Sequence, residues 1–368
     1  MCRLILLLLC CGPALACAST AELVPVLEAL VNLNARVMTA PKASITRVDS
    51  GSALKKGSKG KRAAQLNQRL AELGYPTAAG AGHFDQQTDV AVRAFQSAMG
   101  GVVDGIVDEH TLFNLNLSDR EKIAILRGQF AEMERLFAEN EGRRFVVVNV
   151  PAYKLAAFEE GRRVVESRII VGKPVRQTPM MKTALTGIVF NPTWSPPPTI
   201  LAKDIFRTGE VDLRTVDKLG LKLIDEHGQA ASLDSVVAQG DFAERGYRFI
   251  QPAGDRNALG RLKFDLDNPL SIYLHDTNHR ELFDRNTRAL SSGCIRVDRF
   301  RELAAWVLGA TRDVDRELQD RRTRRTSVEH LPVYTVYWLA DVTGDKVVFH
   351  RDIYGRTGSR KRIESRDL

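Results

Sequence analysis

Apolar positions change rhythm once along this chain. From Leu23 to about Glu141 they recur every three or four residues, the period of amphipathic helices; from Arg144 onward, β-branched runs bounded by turn residues take over. Leu23, Leu27, Leu30 and Val31 predict a first helix within residues 19–53, followed by a polar stretch, Lys42–Ser52, that reads as a linker. Leu66, Leu70 and Leu73 line one face of a second helix that stops at Gly74. Ala91, Ala94, Phe95 and Ala98 line a third with Asp85 as its N-cap, and Leu112 and Leu115 a fourth capped by Asp108. These last three form one small bundle over residues 54–117, with a marginal core. Ser118 to about Glu141 reads as a longer amphipathic helix.

Strands are expected at Arg144–Val150, Tyr153–Phe158, Arg163–Val171 and Thr186–Phe190, with Glu160-Gly161 as a hairpin turn. Trp194–Pro198 (WSPPP) is no central strand, because proline removes ladder donors. It opens a polar, helix-leaning excursion to about Tyr247. The sheet resumes at Leu259–Phe264 and Leu270–His275. Residues 299–322 read as helical, Pro332–Tyr354 as a hairpin turning at Thr343-Gly344-Asp345, and 356–368 as a basic tail. The pattern is α+β: a mostly β domain over 118–310 carrying an inserted subdomain at about 199–250, a small three-helix domain at 54–117, and a C-terminal helix and hairpin over 311–368 that pack on the β domain.

The first residues break this pattern. Met1-Cys2-Arg3 precedes an apolar run from Leu4 to about Ala16, too short to span a bilayer, with small-x-small sites at Ala14-Leu15-Ala16 and Ala16-Cys17-Ala18. Residues 1–18 read as a secretory signal peptide. A lipoprotein cleaved before Cys17 is the weaker reading, since Leu15 sits one place too close to the cysteine. Export changes the cysteine count: Cys2, Cys10, Cys11 and Cys17 lie in or at the edge of the leader, so the mature body has a single cysteine, Cys294. One thiol in an oxidising compartment makes no internal disulfide and is either a buried hydrophobe or a reactive group. The net charge of +8 suits anionic surroundings without choosing among them. Nucleic acid is a poor choice for an exported chain with 7% aromatics and no nucleic-acid motif.

Two segments carry candidate chemistry. Ile272-Tyr273-Leu274-His275-Asp276-Thr277 reads as a strand ending in a histidine, and Ser291-Ser292-Gly293-Cys294-Ile295-Arg296-Val297 holds the thiol nineteen residues beyond it. A nearby imidazole or arginine lowers a thiol's pKa, and His275 suits a general base and acid, with His279 the alternative. Arg296 adds positive charge for a thiolate or a substrate carboxylate. Gly293 allows close backbone approach, and its N–H with that of Cys294 is a candidate oxyanion hole. Ser291 is a candidate orienting group. The plainer readings stay open: a satisfied strand-end histidine, a turn at Ser291–Gly293, a surface ion pair at Arg296. Paired metal-ligand spacing is missing, and so is a G-x-S-x-G nucleophile turn.

The run YLHDT…LSSGCIRV closely resembles the signature of the bacterial L,D-transpeptidase (YkuD) family: a strand-end histidine, then a Ser/Thr-x-Gly-Cys loop. VNVPAYKL at 148–155, VGKPVRQTPMM at 171–181, FNPTW at 190–194, NALGRLKF at 257–264 and the C-terminal YTVYWLADVTGDKVVFHRDIYG resemble its larger periplasmic subgroup, so that the likeness covers nearly all of 118–356. One position departs. Many members have a histidine directly before Gly-Cys, and here it is Ser292, a serine that the larger subgroup tolerates. LKKGSKGKRAAQLNQRLAELGY, FDQQTDVAVRAFQ and VDGIVDEHTLFNLN, within 54–116, resemble the type 1 peptidoglycan-binding domain.

The resemblance implies a periplasmic enzyme of cell-wall biogenesis and cell shape. Cys294 would be the nucleophile, and His275 would serve as base and acid. Donor and acceptor would be tetrapeptide stems of peptidoglycan joined in a 3→3 cross-link, with no cofactor and no metal. Water, a free D-amino acid or a lipoprotein lysine as acceptor would make the same thioester a carboxypeptidase, exchange or anchoring intermediate. Carbapenems would acylate the same cysteine. Other wall-synthesis proteins are candidate partners, and the insertion would cap the site. Tyr273 and Ser292 are candidate substrate contacts. Asn257, Arg261 and Lys263, just before the His275 strand, are candidates to line the cleft, with a structural role equally open. From a different class, a non-catalytic wall-binding scaffold is the remaining reading.

Overall fold

A computed structural model describes residues 22–39, 45–206, 211–232, 246–309, 312–344 and 346–356, so the expected leader and Cys17 lie outside the described residues. In chain order, helices α1–α5 are Val24–Thr39, Lys61–Glu72, Gln86–Ala98, Glu109–Asn116 and Asp119–Glu139. Strands β1–β4 are Phe145–Asn149, Lys154–Glu159, Arg162–Gly172 and Met181–Phe190. Then come α6 (Pro198–Ile200), a single π turn (Leu201–Ile205), α7 (Leu213–Leu219), β5 (Lys222–Ile224), β6 (Arg248–Ile250), β7 (Leu262–Leu266) and β8 (Leu274–His275). Beyond them lie β9 (Ala289–Ser291), β10 (Ile295–Val297), α8 (Phe300–Leu308), α9 (Val314–Gln319), β11 (Arg324–Val336), β12 (Ala340–Thr343) and β13 (Lys346–Phe349). The chain divides into two compact units. One runs to Arg143 and takes in Glu159–Arg162 and the residues from Tyr337; the other holds Arg144–Phe158 and Arg163–Val336.

In the first unit, the helices begin where their caps stand. Asp85 Oδ1 accepts from the Thr88 N–H and Asp108 Oδ1 from the Thr111 N–H, both at 2.8 Å. Ser118 and Glu121 form a reciprocal capping box that opens α5. Gly74, at φ +85°, ends α2 in the left-handed conformation that favours glycine. Leu66, Leu70, Phe84, Val92, Phe95 and Leu115 fill the small core. The polar stretch expected as a linker is anchored where it is described. Val48 is buried in that core, and its N–H and C=O each bond the Asn116 side chain at 2.9 Å. The β12–β13 hairpin is held to α5 by Gln129, whose amide bonds both the N–H and the C=O of Ala340.

The second unit is a β structure that closes on itself. The strand order is β10-β8-β7-β4-β11-β1-β2-β3-β9, and β10 also pairs with β3, so the ring leaves no long open edge. The near-continuous run Phe145–Val148 suits β1, buried along its whole length between β11 and β2. Glu160 and Gly161 take φ of 50° and 72°, the two left-handed residues of a tight hairpin turn.

Three expectations change. The hairpin expected over 332–354 is confined to β12–β13. Pro332–Val336 instead ends the long central β11, where proline is tolerated beside a bulge and before pairing with β1 starts at Val333. The strand expected from Leu270 shrinks to Leu274–His275, because Asn268 Oδ1 accepts the N–H groups of Leu270 and Ile272 and curls that segment into a turn. The insertion also contains a strand pair, β5–β6, beside its helices. Trp194, Ile205, Val216, Leu223 and Phe249 give it a core of its own, against which Tyr273 packs.

Candidate active site

Strand register brings the two chemical segments together. β8 and β10 run parallel, with Leu274 beside Ile295 and His275 beside Arg296. On its other side His275 pairs with Lys263 of β7. Cys294 immediately precedes Ile295, whose N–H donates to the Tyr273 carbonyl at 3.1 Å. The register thus puts His275 on one strand and Cys294 at the start of its parallel neighbour, two residues before the position opposite the histidine and, by the alternation of side chains, on the same face of the sheet.

The thiol is half-buried, with Sγ 3.7 Å from the Ser271 carbonyl. Burial pushes Cys294 up from the ordinary thiol range. Contacts with Tyr273 and the charges of Lys263 and Arg296 act in the opposite direction without overcoming it. This reverses the lowered pKa expected from the sequence. His275 is almost fully buried, and burial, then Arg296, push its pKa down to about 3. Both groups are thus neutral at rest. Nδ1 of His275 lies 2.5 Å from the Asp276 carbonyl. Asp276 is itself buried and accepts from the Arg261 N–H and from Arg280. Burial pushes its carboxyl up.

Tyr273 crosses between sheet and insertion. Its ring stands edge-on to His275 at 5.5 Å, with Lys263 over its face at 4.9 Å. Burial raises the pKa of its hydroxyl, and Cys294 and Trp194 are the side chains close enough to perturb it. His279, the alternative base, pairs with Glu281 on an exposed segment instead.

The loop before the cysteine is built by side chains. The Ser291 hydroxyl donates to the Cys294 carbonyl at 2.6 Å and accepts from the Gly293 N–H at 3.1 Å. Ser291 thus ties the loop together, and the Gly293 N–H expected as an oxyanion donor bonds the Ser291 hydroxyl in this structure. Among the described residues the Cys294 N–H has no recorded partner. Gly293 takes φ +126°, where a side chain is strained. Arg296 has a buried Nε with no partner among the described residues, and burial lowers its pKa.

Asn257 and Arg261 stand apart from this chemistry. The Asn257 amide donates to the carbonyls of Pro192, Gln251 and Pro252 and accepts from the Leu259 N–H. Arg261 bonds Asn191, Asp255 and the Leu318 carbonyl. Both staple neighbouring loops through these bonds, the structural role left open by the sequence. Sequence reasoning gave no role to Arg176, Thr178, Trp194 or Asp204. Arg176 bonds Ser292 Oγ at 2.9 Å and Asp204 through both guanidinium nitrogens, and Thr178 Oγ1 donates to the Gly293 carbonyl at 2.8 Å. The only signal was their place in the stretches 171–181 and 190–194. No group of His, Cys, Asp and Glu among the described residues has the geometry to hold a metal ion.

Residues 59–113 match the family described as "Putative peptidoglycan binding domain". A curated protein of Haemophilus influenzae named "Putative L,D-transpeptidase" is 34% identical over 215 residues, which cover 57% of this chain and 44% of that protein. The chain thus spans less than half the length of that relative. Among solved structures, an L,D-transpeptidase from Xylanimonas cellulosilytica aligns at 15% identity over 78% of this chain and 99% of its own, with a TM-score of 0.26. One from Stackebrandtia nassauensis aligns at 12% over 80% and 97%, with a TM-score of 0.27. Residues 143–348, more than half of the chain and including both Cys294 and His275, match the L,D-transpeptidase catalytic domain, and the chain belongs to that family, YkuD.

Proposed function

We propose that the protein is a periplasmic L,D-transpeptidase that joins two peptidoglycan stems by a 3→3 cross-link through a thioester on Cys294. The observation that carries this reading is the hydrogen bond from His275 Nδ1 to the Asp276 carbonyl. A carbonyl only accepts, so the proton of the neutral ring is on Nδ1 and Nε2 keeps its lone pair. A neutral thiol beside a neutral imidazole suits attack with simultaneous proton transfer.

Sγ attacks the diaminopimelate carbonyl carbon at its bond to the donor's terminal D-Ala, while Nε2 takes the thiol proton. As the C–N bond breaks, the imidazolium returns that proton to the departing amine, leaving a thioester. The side-chain amine of a second stem then attacks the thioester carbon. It gives its proton through Nε2 to the leaving sulfur. One peptide bond replaces another, so the step needs no nucleotide. The Cys294 N–H suits the developing oxyanion, and the Tyr273 hydroxyl and the unpartnered Nε of Arg296 suit the thiolate and a stem carboxylate. Ser292 reaches substrate only from its bond with Arg176. A carbapenem would acylate the same sulfur through its strained lactam. The periplasmic placement rests on residues 1–18 read as a signal peptide and on the wall chemistry of both domains.

Mass spectrometry of disaccharide-tetrapeptides incubated with the chain from residue 19, with Cys294→Ala as control, tests the reading. Dimers lacking one D-Ala, absent with the variant, are expected. Tripeptide monomers alone would make it a carboxypeptidase. Identical products from both proteins would overturn the reading.

A further inference from the structure

The three residues before Cys294 are each held by one short segment. The Lys173 N–H donates to the Ser291 carbonyl at 3.0 Å, Arg176 donates to Ser292 Oγ at 2.9 Å, and Thr178 Oγ1 donates to the Gly293 carbonyl at 2.8 Å. The segment is folded tightly on itself. Thr178 Oγ1 also accepts from the Gly172 N–H, and the Arg176 N–H donates to the Lys173 carbonyl. A Cβ on Gly172 would lie 2.1 Å from the Arg176 carbonyl oxygen, so the backbone closes there only with glycine. Residues 172–178 are therefore a strap with one fixed shape, bonded along the whole approach to the thiol.

One member of the strap also reaches the insertion. Arg176 makes a forked pair with Asp204, at 2.7 and 2.9 Å, and Asp204 lies on the π turn Leu201–Ile205. That turn is rooted in the insertion's core by Ile205, which is fully buried. A forked guanidinium–carboxylate pair fixes both partners in angle as well as distance, which a single lysine contact does not. Nε and both terminal nitrogens of a guanidinium lie in one plane, so rotating the fork to follow Asp204 also moves the Nη1 proton aimed at Ser292.

We propose that Arg176 is a positioning residue that transmits the placement of the insertion to the cysteine loop, through Asp204 on one side and Ser292 on the other. The proposal rests on the reading of Cys294 as the nucleophile. With the fork closed, Ser292 and the Gly293 carbonyl are held on the strap, and the Cys294 N–H, without a partner among the described residues, is left for the oxyanion. With the fork open, the loop keeps its Lys173 and Thr178 ties but loses the one at Ser292, adjacent to Gly293. A stem seated against the insertion would thereby set the geometry of the group that attacks it. Arg176 does not touch the reacting atoms in this scheme; it acts through Ser292.

Arg176→Gln, Asp204→Asn and the double variant decide it, each measured in the chain from residue 19. One readout is kcat and KM for D-Ala release from a disaccharide-tetrapeptide; the other is the rate at which iodoacetamide alkylates Cys294. Each single variant is expected to lower kcat about tenfold with KM within about twofold of wild type, and the double variant to fall no further, because both substitutions cut one link. Ser292→Ala is expected to match them and Ser292→Thr, which keeps the hydroxyl, to recover most of the loss. Full kcat in Asp204→Asn, or losses that multiply in the double variant, would overturn the coupling. If wild type releases no D-Ala, the proposed reaction fails and alkylation still decides. An equal change in both singles, not exceeded in the double, supports the coupling; rates unchanged from wild type overturn it.

Discussion

Gln96 in the small helical domain and Arg296 beside the thiol are both long polar side chains reaching into protein, and they are treated in opposite ways. Gln96 is 1% exposed, and its amide is fully used: Oε1 accepts from the N–H groups of Asp104 and Gly105, and Nε2 donates to Asp104 Oδ1 and the Ile106 carbonyl. Arg296 keeps a buried Nε with no partner among the described residues, next to a thiol that burial holds neutral. Around Gln96 polarity is closed to define a fold. At the strand ends it is left open, at a cost in stability, where a charged or polar ligand would complete it. Changes that leave closed groups stranded should cost stability; changes at the open ones should cost turnover.

The largest effect expected on this contrast is at Thr178, a closed residue inside the open region. It is fully buried, and one hydroxyl serves both the Gly172 N–H and the Gly293 carbonyl. Thr178→Val keeps the shape and strands two backbone groups, at about 1–3 kcal/mol for each group left unsatisfied. Chemical denaturation should register the loss, and D-Ala release should fall with it because the Gly293 carbonyl is freed. A variant of unchanged midpoint and unchanged turnover would show that the strap does not hold the loop.

A smaller effect separates the two regions by pH. The folded pKa of His275 is about 3 against an ordinary 6.5. As pH falls through 6.5 the unfolded chain takes up this proton and the folded chain does not, so stability is lost progressively from 6.5 down to about 3. Wild type should therefore lose Tm across that window faster than His275→Asn, which keeps an amide donor for the Asp276 carbonyl and does not titrate. Parallel Tm curves would refute the buried neutral imidazole. The thiol has the opposite sign. Its raised pKa means that alkylation of Cys294 in the absence of substrate should still be rising above pH 9, not levelling off below pH 8.

What the sequence made legible follows the reach of each interaction. Caps at Asp85 and Asp108 join residues three apart, and the hairpin at Glu160-Gly161 is two residues long; local chemistry decides both, and both stand where the pattern placed them. His275 and Cys294 were legible as a pair because the sequence beyond residue 18 holds one thiol and their flanking motifs are specific. The insertion showed itself through WSPPP. Arg176 and Thr178 were not legible, since their partners lie 28 to 116 residues away and no local rhythm marks them. Asn257 and Arg261 were ambiguous for the complementary reason. Polar residues beside the His275 strand read equally as substrate contacts or as structural groups until their partners are seen, and here carbonyls and side chains of neighbouring loops bond them. Gly293 was read correctly as a special backbone position, but its N–H points to Ser291.

The smallest effect lies wholly within the helical domain. Asp108 opens α4 by accepting the Thr111 N–H at 2.8 Å, and that bond answers one of the donors a helix start leaves unpaired. Asp108→Ala removes it and should destabilise the domain by about 1 kcal/mol, whereas Asp108→Asn keeps a capping oxygen and should cost far less. Hydrogen exchange over residues 109–116 is the suitable readout, because a frayed first turn exposes those amides before the domain unfolds. Faster exchange in the alanine variant, near-wild-type exchange in the asparagine variant and unchanged D-Ala release from a soluble disaccharide-tetrapeptide are expected together. The last term carries the contrast. Losing a closed polar contact in the helical domain removes stability there and nothing from the chemistry at Cys294, and a fall in turnover on the soluble substrate would mean that the two regions are not independent in the way their polar groups suggest.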